Sequence, residues 1–99
     1  MDFAKLFTEN MRLVALRALA QTPAYSCNDS ILQDILATFA IRCSRDQVRS
    51  TLSWLQDQGL ISYEILSSGT YIATITQNGL DVAAGNMTVP GVKRPSPRD

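Results

Sequence analysis

The stretch from Ser44 to Gly79 confines this chain to very few architectures. Ser44 is followed three positions later by Gln47, the pattern of a capping box that satisfies the first free N–H groups of a helix. Val48, Leu52 and Leu55 then fall at i, i+4 and i+7, which makes one face of that helix apolar. Gly59 stands where a helix ends in a left-handed residue. Leu60 and Ile61 lead into a strand, and Ser68-Gly69 supplies a permissive hairpin turn. Tyr71, Ala73 and Ile75 alternate with Ile72 and Thr74 along the return strand. Thr76 is placed to cap a short last helix, Leu80 to Ala84, ended by Gly85.

Two further helices precede this stretch. Residues 3–20 have helical spacing, with Phe3, Phe7, Val14 and Ala18 on one stripe and Leu6 and Leu13 on its flank. Leu16 and Leu19 point away from that stripe, so this helix is expected to be buried on two sides, one of them a homodimer contact. Pro23 ends it, because the residue before a proline is pushed out of the helical region. Asn28 or Ser30 caps the second helix, residues 29–40, with Gln33 three residues after Ser30. Its stripe is Ile31, Leu32, Ile35, Leu36 and Phe39, with Asp29 and Asp34 expected in water. The link from Ala40 to Cys43 is short enough for a helix-turn-helix. The fold class read from this order is mainly α with a small β-hairpin: a winged helix-turn-helix of three helices, a two-stranded wing and a short C-terminal helix. The domain spans residues 1–85. Residues 86–99 hold Pro90, Pro95 and Pro97 with three cations and no period, which predicts an extended or disordered arm.

Ninety-nine residues with 45% apolar content support one small domain. No apolar run approaches the ~18 residues of a membrane span. The start, Met1 to Lys5, lacks a basic region followed by an apolar stretch, so a soluble cytoplasmic protein is expected. Nine basic and nine acidic residues cancel over the whole chain. Residues 1–88 carry six basic against eight acidic, a balance of −2, and residues 89–99 carry three basic against one acidic, +2. A globally basic nucleic-acid binder is thereby excluded, and any duplex contact must come from a local patch.

There is no histidine, and Cys27 and Cys43 lie near opposite ends of the second helix. A helix of that length is about 18 Å long, against the ~7 Å between Cα atoms that a disulfide tolerates. Two cysteines alone do not complete a four-ligand zinc site. Neither a metal nor another cofactor is expected. Without histidine a serine nucleophile needs a lysine base, and the lysines lie only in the first helix and the tail, so the chain is not expected to be an enzyme.

The most basic folded patch is the outer face of the third helix. A step of about 100° per residue places Arg45, Arg49, Ser53 and Gln56 in one sector, flanked by Asp46 and Ser50. Arginines bind phosphates or fork onto guanine edges, and short hydroxyl side chains allow close approach to a groove. Arg42, Ser44 and Gln47 at the start of the helix complete the candidate DNA-binding set. The bland alternative is a solvated helix face. The wing turn, Ser67 to Thr70, has no cation and reads as structural. Lys93, Arg94 and Arg98 in the tail are possible further contacts, to phosphate or to a protein. Trp54, on the flank away from the arginines, is expected to pack on a neighbouring element, and Tyr63 and Tyr71 across strands.

Val48 to Ile61 resembles the recognition helix and exit of many bacterial winged-helix regulators, and Tyr71 to Gly79 resembles their closing strand and the start of their last helix. More narrowly, Ser44 to Val48, Trp54-Leu55, Leu80 to Gly85 and the tail Val89 to Pro97 are similar to short winged helix-turn-helix proteins of Mu-like phages and prophages, which themselves resemble ArsR/MarR-type regulators. The resemblance implies a phage-derived DNA-binding protein in a bacterial host, acting in transcription regulation through the third helix. The alternative is a winged-helix interaction module for phage assembly or a host protein, without DNA binding. ArsR-type sensors hold metals in cysteine, histidine and acidic clusters, and since this chain has none, metal sensing is not implied.

Overall fold

The computed structural model describes residues 2–96, and Arg98 of the expected tail contacts lies outside them. Four helices surround a small three-stranded antiparallel sheet. In chain order these are α1 (Phe3–Gln21), a single 3-10 turn (Pro23–Tyr25), β1 (Ser26–Asn28), α2 (Asp29–Thr38), α3 (Arg45–Asp57), β2 (Ile61–Ile65), β3 (Tyr71–Ile75) and α4 (Gln77–Ala83). Among the described residues no helix is long and apolar enough to cross a membrane.

Local chemistry sets each boundary. The Asp2 side chain accepts from Lys5 N–H at 3.1 Å and starts α1. Thr22 is extended ahead of Pro23 and stops it. Asn28 Oδ1 accepts from Ile31 N–H at 2.7 Å and starts α2, which ends two residues earlier than its spacing predicts, where Ala40 turns left-handed at φ 61°. Ser44 and Gln47 form the expected capping box of α3, and Gly59 at φ +74° leaves it. Thr76 caps α4, which begins at Gln77 rather than Leu80.

The sheet has one more strand than expected. Its order is β1-β3-β2, with Cys27 opposite Ala73 and Tyr63 opposite Ala73 from the other side. Three residues are too few for alternation to register, and the preceding turn uses left-handed Ala24 and Tyr25 at φ 56° and 58°. Pairing with β1 makes β3 the central strand, so Ala73 and Ile75 close over Leu16, Leu52, Leu55 and Ile61 in the core. Cys27 and Cys43 are unbridged, and burial pushes both thiols above their ordinary pKa.

The structure corrects one expectation, that of Asp29, and refines two. The core face of α1 is Leu13, Leu16 and Leu19, each about fully buried, while Phe3, Leu6 and Phe7 stand 76%, 52% and 41% exposed. The first two turns of α1 run past the core, where Phe7 and Thr8 border only the start of α3 and Glu9 meets the segment around Lys93. Asp29 does not face water but is 1% exposed. Residues 86–96 are not a free arm: Val92 is buried, Arg12 Nη1 donates to the Gly91 carbonyl at 2.8 Å, and Lys93 N–H donates to the Glu9 carbonyl at 3.2 Å.

The segment around Gly91 is held at a contact shared by Arg12 and Trp54. The Arg12 guanidinium lies 3.8 Å from the indole centroid, and burial lowers its pKa while Glu9 pulls the other way. A Cβ on Gly91 would stand 2.6 and 2.8 Å from two carbons of the Trp54 ring, at a φ of +99° that L side chains rarely adopt. Gly91→Ala is therefore expected to detach the segment around Val92 from an otherwise folded domain. Trp54 emission should shift red and the Val92 and Lys93 amides should lose exchange protection; unchanged emission and protection would show that the Arg12–Trp54 contact does not anchor this segment.

Candidate functional site

The candidate surface consists of the turn before α3, the outer side of α3 and the β2–β3 hairpin. Val48, Leu52 and Leu55 bury the inner side of α3 completely, with Thr51 beside them. Opposite that face, Asp46, Ser50, Ser53 and Asp57 recur at i, i+4, i+7 and i+11 and form the outermost ridge. Asp46, Ser50 and Asp57 are exposed and Ser53 is half-buried. Ser44 and Gln47 cap the helix start: Ser44 Oγ accepts from Gln47 N–H at 3.1 Å, and Gln47 Oε1 accepts from Ser44 N–H at 2.8 Å. Both side chains remain at the surface, as does Arg42 one turn earlier.

The two arginines expected to project from this face are engaged within the molecule. Arg49 Nε donates to Asp29 Oδ2 at 2.8 Å, and its Nη2 donates to the Gly69 carbonyl in the hairpin turn at 3.1 Å. Its guanidinium also lies 4.7 Å from the centroid of Tyr71, which stacks on Tyr63 at 5.3 Å. One side chain thus joins α3, the start of α2 and the tip of the hairpin. Arg45 bends toward α2, where Nε donates to Gln33 Oε1 at 2.8 Å and Nη2 to Ser30 Oγ at 3.4 Å. Gln33 Nε2 in turn donates to the Cys43 carbonyl at 2.9 Å and fixes the α2–α3 connection.

The residues that sequence reasoning missed are therefore Asp29, Ser30, Gln33 and Gly69, which position the arginines. A signal existed for the first of them. Asp29, Leu32 and Leu36 fall at i, i+3 and i+7, so the spacing puts Asp29 on the inward face that its charge argued against.

The site is not strongly cationic. Against exposed Arg42 and half-buried Arg45 stand exposed Asp46 and Asp57 on α3, and the hairpin turn contributes only hydroxyls and backbone. Lys93 and Arg94 are exposed, but their segment is anchored on the opposite, Trp54 flank of α3. No group of three or more metal-ligating side chains occurs among the described residues.

The fold defines a class: a small, mainly helical protein with a three-stranded antiparallel sheet, similar in fold to the complex structure of hsRosR-S4. The two superpose with a TM-score of 0.63 at 14% identity over 76% of this chain, which spans 64% of the length of the hsRosR-S4 chain. No family model matches the sequence. The chain is 46% identical over 93 residues to gp26 of Escherichia phage Mu, an uncharacterized protein, covering 94% of this chain and 95% of gp26. It is also 45% identical over 80 residues to an uncharacterized protein of Haemophilus influenzae Rd, covering 81% and 78%. The chain belongs to the family of phage Mu gp26.

Proposed function

We propose that this Mu-like phage protein is a winged helix-turn-helix that binds duplex DNA in a regulatory role, with α2 and α3 as the helix pair and β2–β3 as the wing. The observation that carries the reading is the Arg49 fork. By tying Asp29, Gly69 and Tyr71 to α3, it holds helix pair and wing as one rigid surface whose outer ridge bears short side chains. A groove reader needs this arrangement, because contacts on rigid elements keep their register on the duplex. The likeness to hsRosR-S4 supports the fold on which the reading rests.

The contacts assigned within this reading are Arg42 and the free edge of Arg45 on phosphate, with Ser44, Gln47, Ser50 and Ser53 along the groove. Arg49 is a positioning residue. So few cations imply a shallow salt dependence. With these two phosphate contacts, log K should fall with log salt at a slope of about −2, and Arg42→Ala should reduce that slope by about 1 without changing stability. The measurement is anisotropy titration of a random 20-base-pair pool from low to physiological salt, followed by selection of bound sequences. Absence of any salt-sensitive binding at low salt would sink the DNA reading.

Asp46 and Asp57 favour a second reading, an interaction module for phage assembly or a host protein. Two carboxylates on the outermost ridge repel phosphate but suit a basic protein surface. The double variant Asp46→Asn/Asp57→Asn separates the two readings: it should tighten duplex binding under the first and leave it absent under the second.

A further inference from the structure

The aromatic stripe that the sequence displays on α1 is not absorbed by the core, and at Phe7 it borders Asp46, Gln47 and Ser50 at the edge of the candidate DNA surface. Phe3, Phe7, Val14 and Ala18 lie within one sector of about 60° on the helix. At its N-terminal end the stripe protrudes, with Phe3 76% and Phe7 41% exposed. At its C-terminal end it forms the floor of a hollow of about 820 Å³ between α1, α2 and α4, walled by Val14, Ala18, Ile35, Phe39, Leu80 and Ala84. A single helix face thus carries a knob and a matching depression.

We infer that this face pairs with a second copy of the chain, α1 antiparallel to α1, so that Phe3 and Phe7 of each copy enter the hollow of the other. The geometry has a simple register. Antiparallel pairing about a two-fold axis between Asn10 and Met11 sets Phe3 opposite Ala18 and Phe7 opposite Val14 of the second copy. Aromatic side chains then meet the two smaller members of the stripe, and both ends are satisfied at once by one symmetry operation. Gly91 and Lys93 do not obstruct this face, because they are anchored through Arg12 and Glu9 on the other side of α1.

The area fits a stable dimer. Phe3, Leu6, Phe7 and Phe39 are 76%, 52%, 41% and 63% exposed. At about 200 Å² for a large side chain, they offer roughly 900 Å² of apolar surface over two copies. A standard interface of ~1,600 Å² that is a little over half apolar contains about that amount. Arg17 and Asp81 at the edge of the hollow provide a polar rim. A phage or host helix would also fit the hollow, but it would not account for the exposed Phe3 and Phe7 on the same stripe at a self-complementary spacing.

Sedimentation equilibrium of the full chain tests the pairing. The wild type should sediment at twice the 10.9 kDa chain mass at tens of micromolar. Phe3→Asp/Phe7→Asp should be monomeric, with the dimer Kd raised ~100-fold or more as expected for losing two central anchors. Its circular dichroism and melting temperature should match the wild-type monomer, because neither residue supports the core. Ala18→Gln approaches the same contact from the hollow side and should weaken the dimer too. A wild type that remains monomeric at 100 μM concentration (~ten times the expected working range of a standard interface) overturns the inference. So does a dimer that survives Phe3→Asp/Phe7→Asp.

Discussion

Replacing Arg49 by alanine is expected to cost about 3 kcal/mol of folding stability, the low end of the ~3–5 kcal/mol for breaking a buried ion pair. The low end applies because the Arg49 side chain keeps 33% of its exposure whereas Asp29 keeps 1%. The loss comes less from missing attraction than from stranding the Asp29 carboxylate away from water and releasing the Gly69 carbonyl. For a domain of this size, with a total stability of roughly 5–15 kcal/mol, that is a large fraction, and the melting temperature should fall by roughly 15 °C. Urea denaturation of Arg49→Ala, Asp29→Ala and the double variant isolates the pair. The double variant should recover part of the loss, since removing both charges leaves nothing stranded. A loss below about 1 kcal/mol for Arg49→Ala would mean that water reaches Asp29 and that the fork is ornamental.

The same substitution bears on function in a way the sequence concealed. If Arg49 read a base edge, Arg49→Ala would weaken duplex binding of a protein as stable as wild type. As a positioning residue it should instead lower stability and loosen the hairpin together, with binding lost in proportion to the disorder of residues 66–70. Arg49→Lys separates these further. A lysine retains the charge but not the fork, so it can pair with Asp29 and lose Gly69.

Much of the fold was legible because local signals agreed with one another. The Ser44–Gln47 box, the Gly59 stop, the Ser68-Gly69 turn and the Thr76 cap each encode backbone hydrogen bonds that depend on near neighbours alone. What stayed hidden depends on distant partners. β1 exists because β3 offers it a free edge. Asp29 is inward because Arg49, twenty residues later, neutralises it. The segment around Gly91 is docked because Trp54 and Arg12 provide a slot in which only a glycine fits. The α1 stripe is visible in the spacing, but spacing alone does not say which side meets the core, and Phe3 and Phe7 stand outside it. Charge counting narrows the site to Arg42, Arg45 and Arg49; what it does not show is that Arg49 is bonded to Asp29 and Gly69, or that Asp46 and Asp57 line the outer ridge.

Gly79→Ala is the second substitution expected to have a large effect, and two physical effects oppose each other in it. Alanine is the better helix former by about 1 kcal/mol, which alone would stabilise α4. Yet the added Cβ would run into the Leu60 carbonyl oxygen and stand 2.5 Å from Ile75 Cγ1. The Leu60 oxygen is backbone at the start of β2 and cannot swing aside. It also accepts from Thr76 N–H at 3.0 Å, while Thr76 Oγ1 donates to the Gly59 carbonyl at 2.8 Å, so any retreat of α4 breaks the bonds that dock it. Sterics should win, with a net loss of about 2–3 kcal/mol, as for overpacking a filled interior. Asn78→Ala, one residue earlier and exposed, is the control and should be neutral or slightly stabilising. Because α4 walls the hollow through Leu80 and Ala84, Gly79→Ala should weaken self-association as well as stability, whereas Phe3→Asp should weaken self-association alone. A stabilised Gly79→Ala protein would show that α4 is not seated on Leu60.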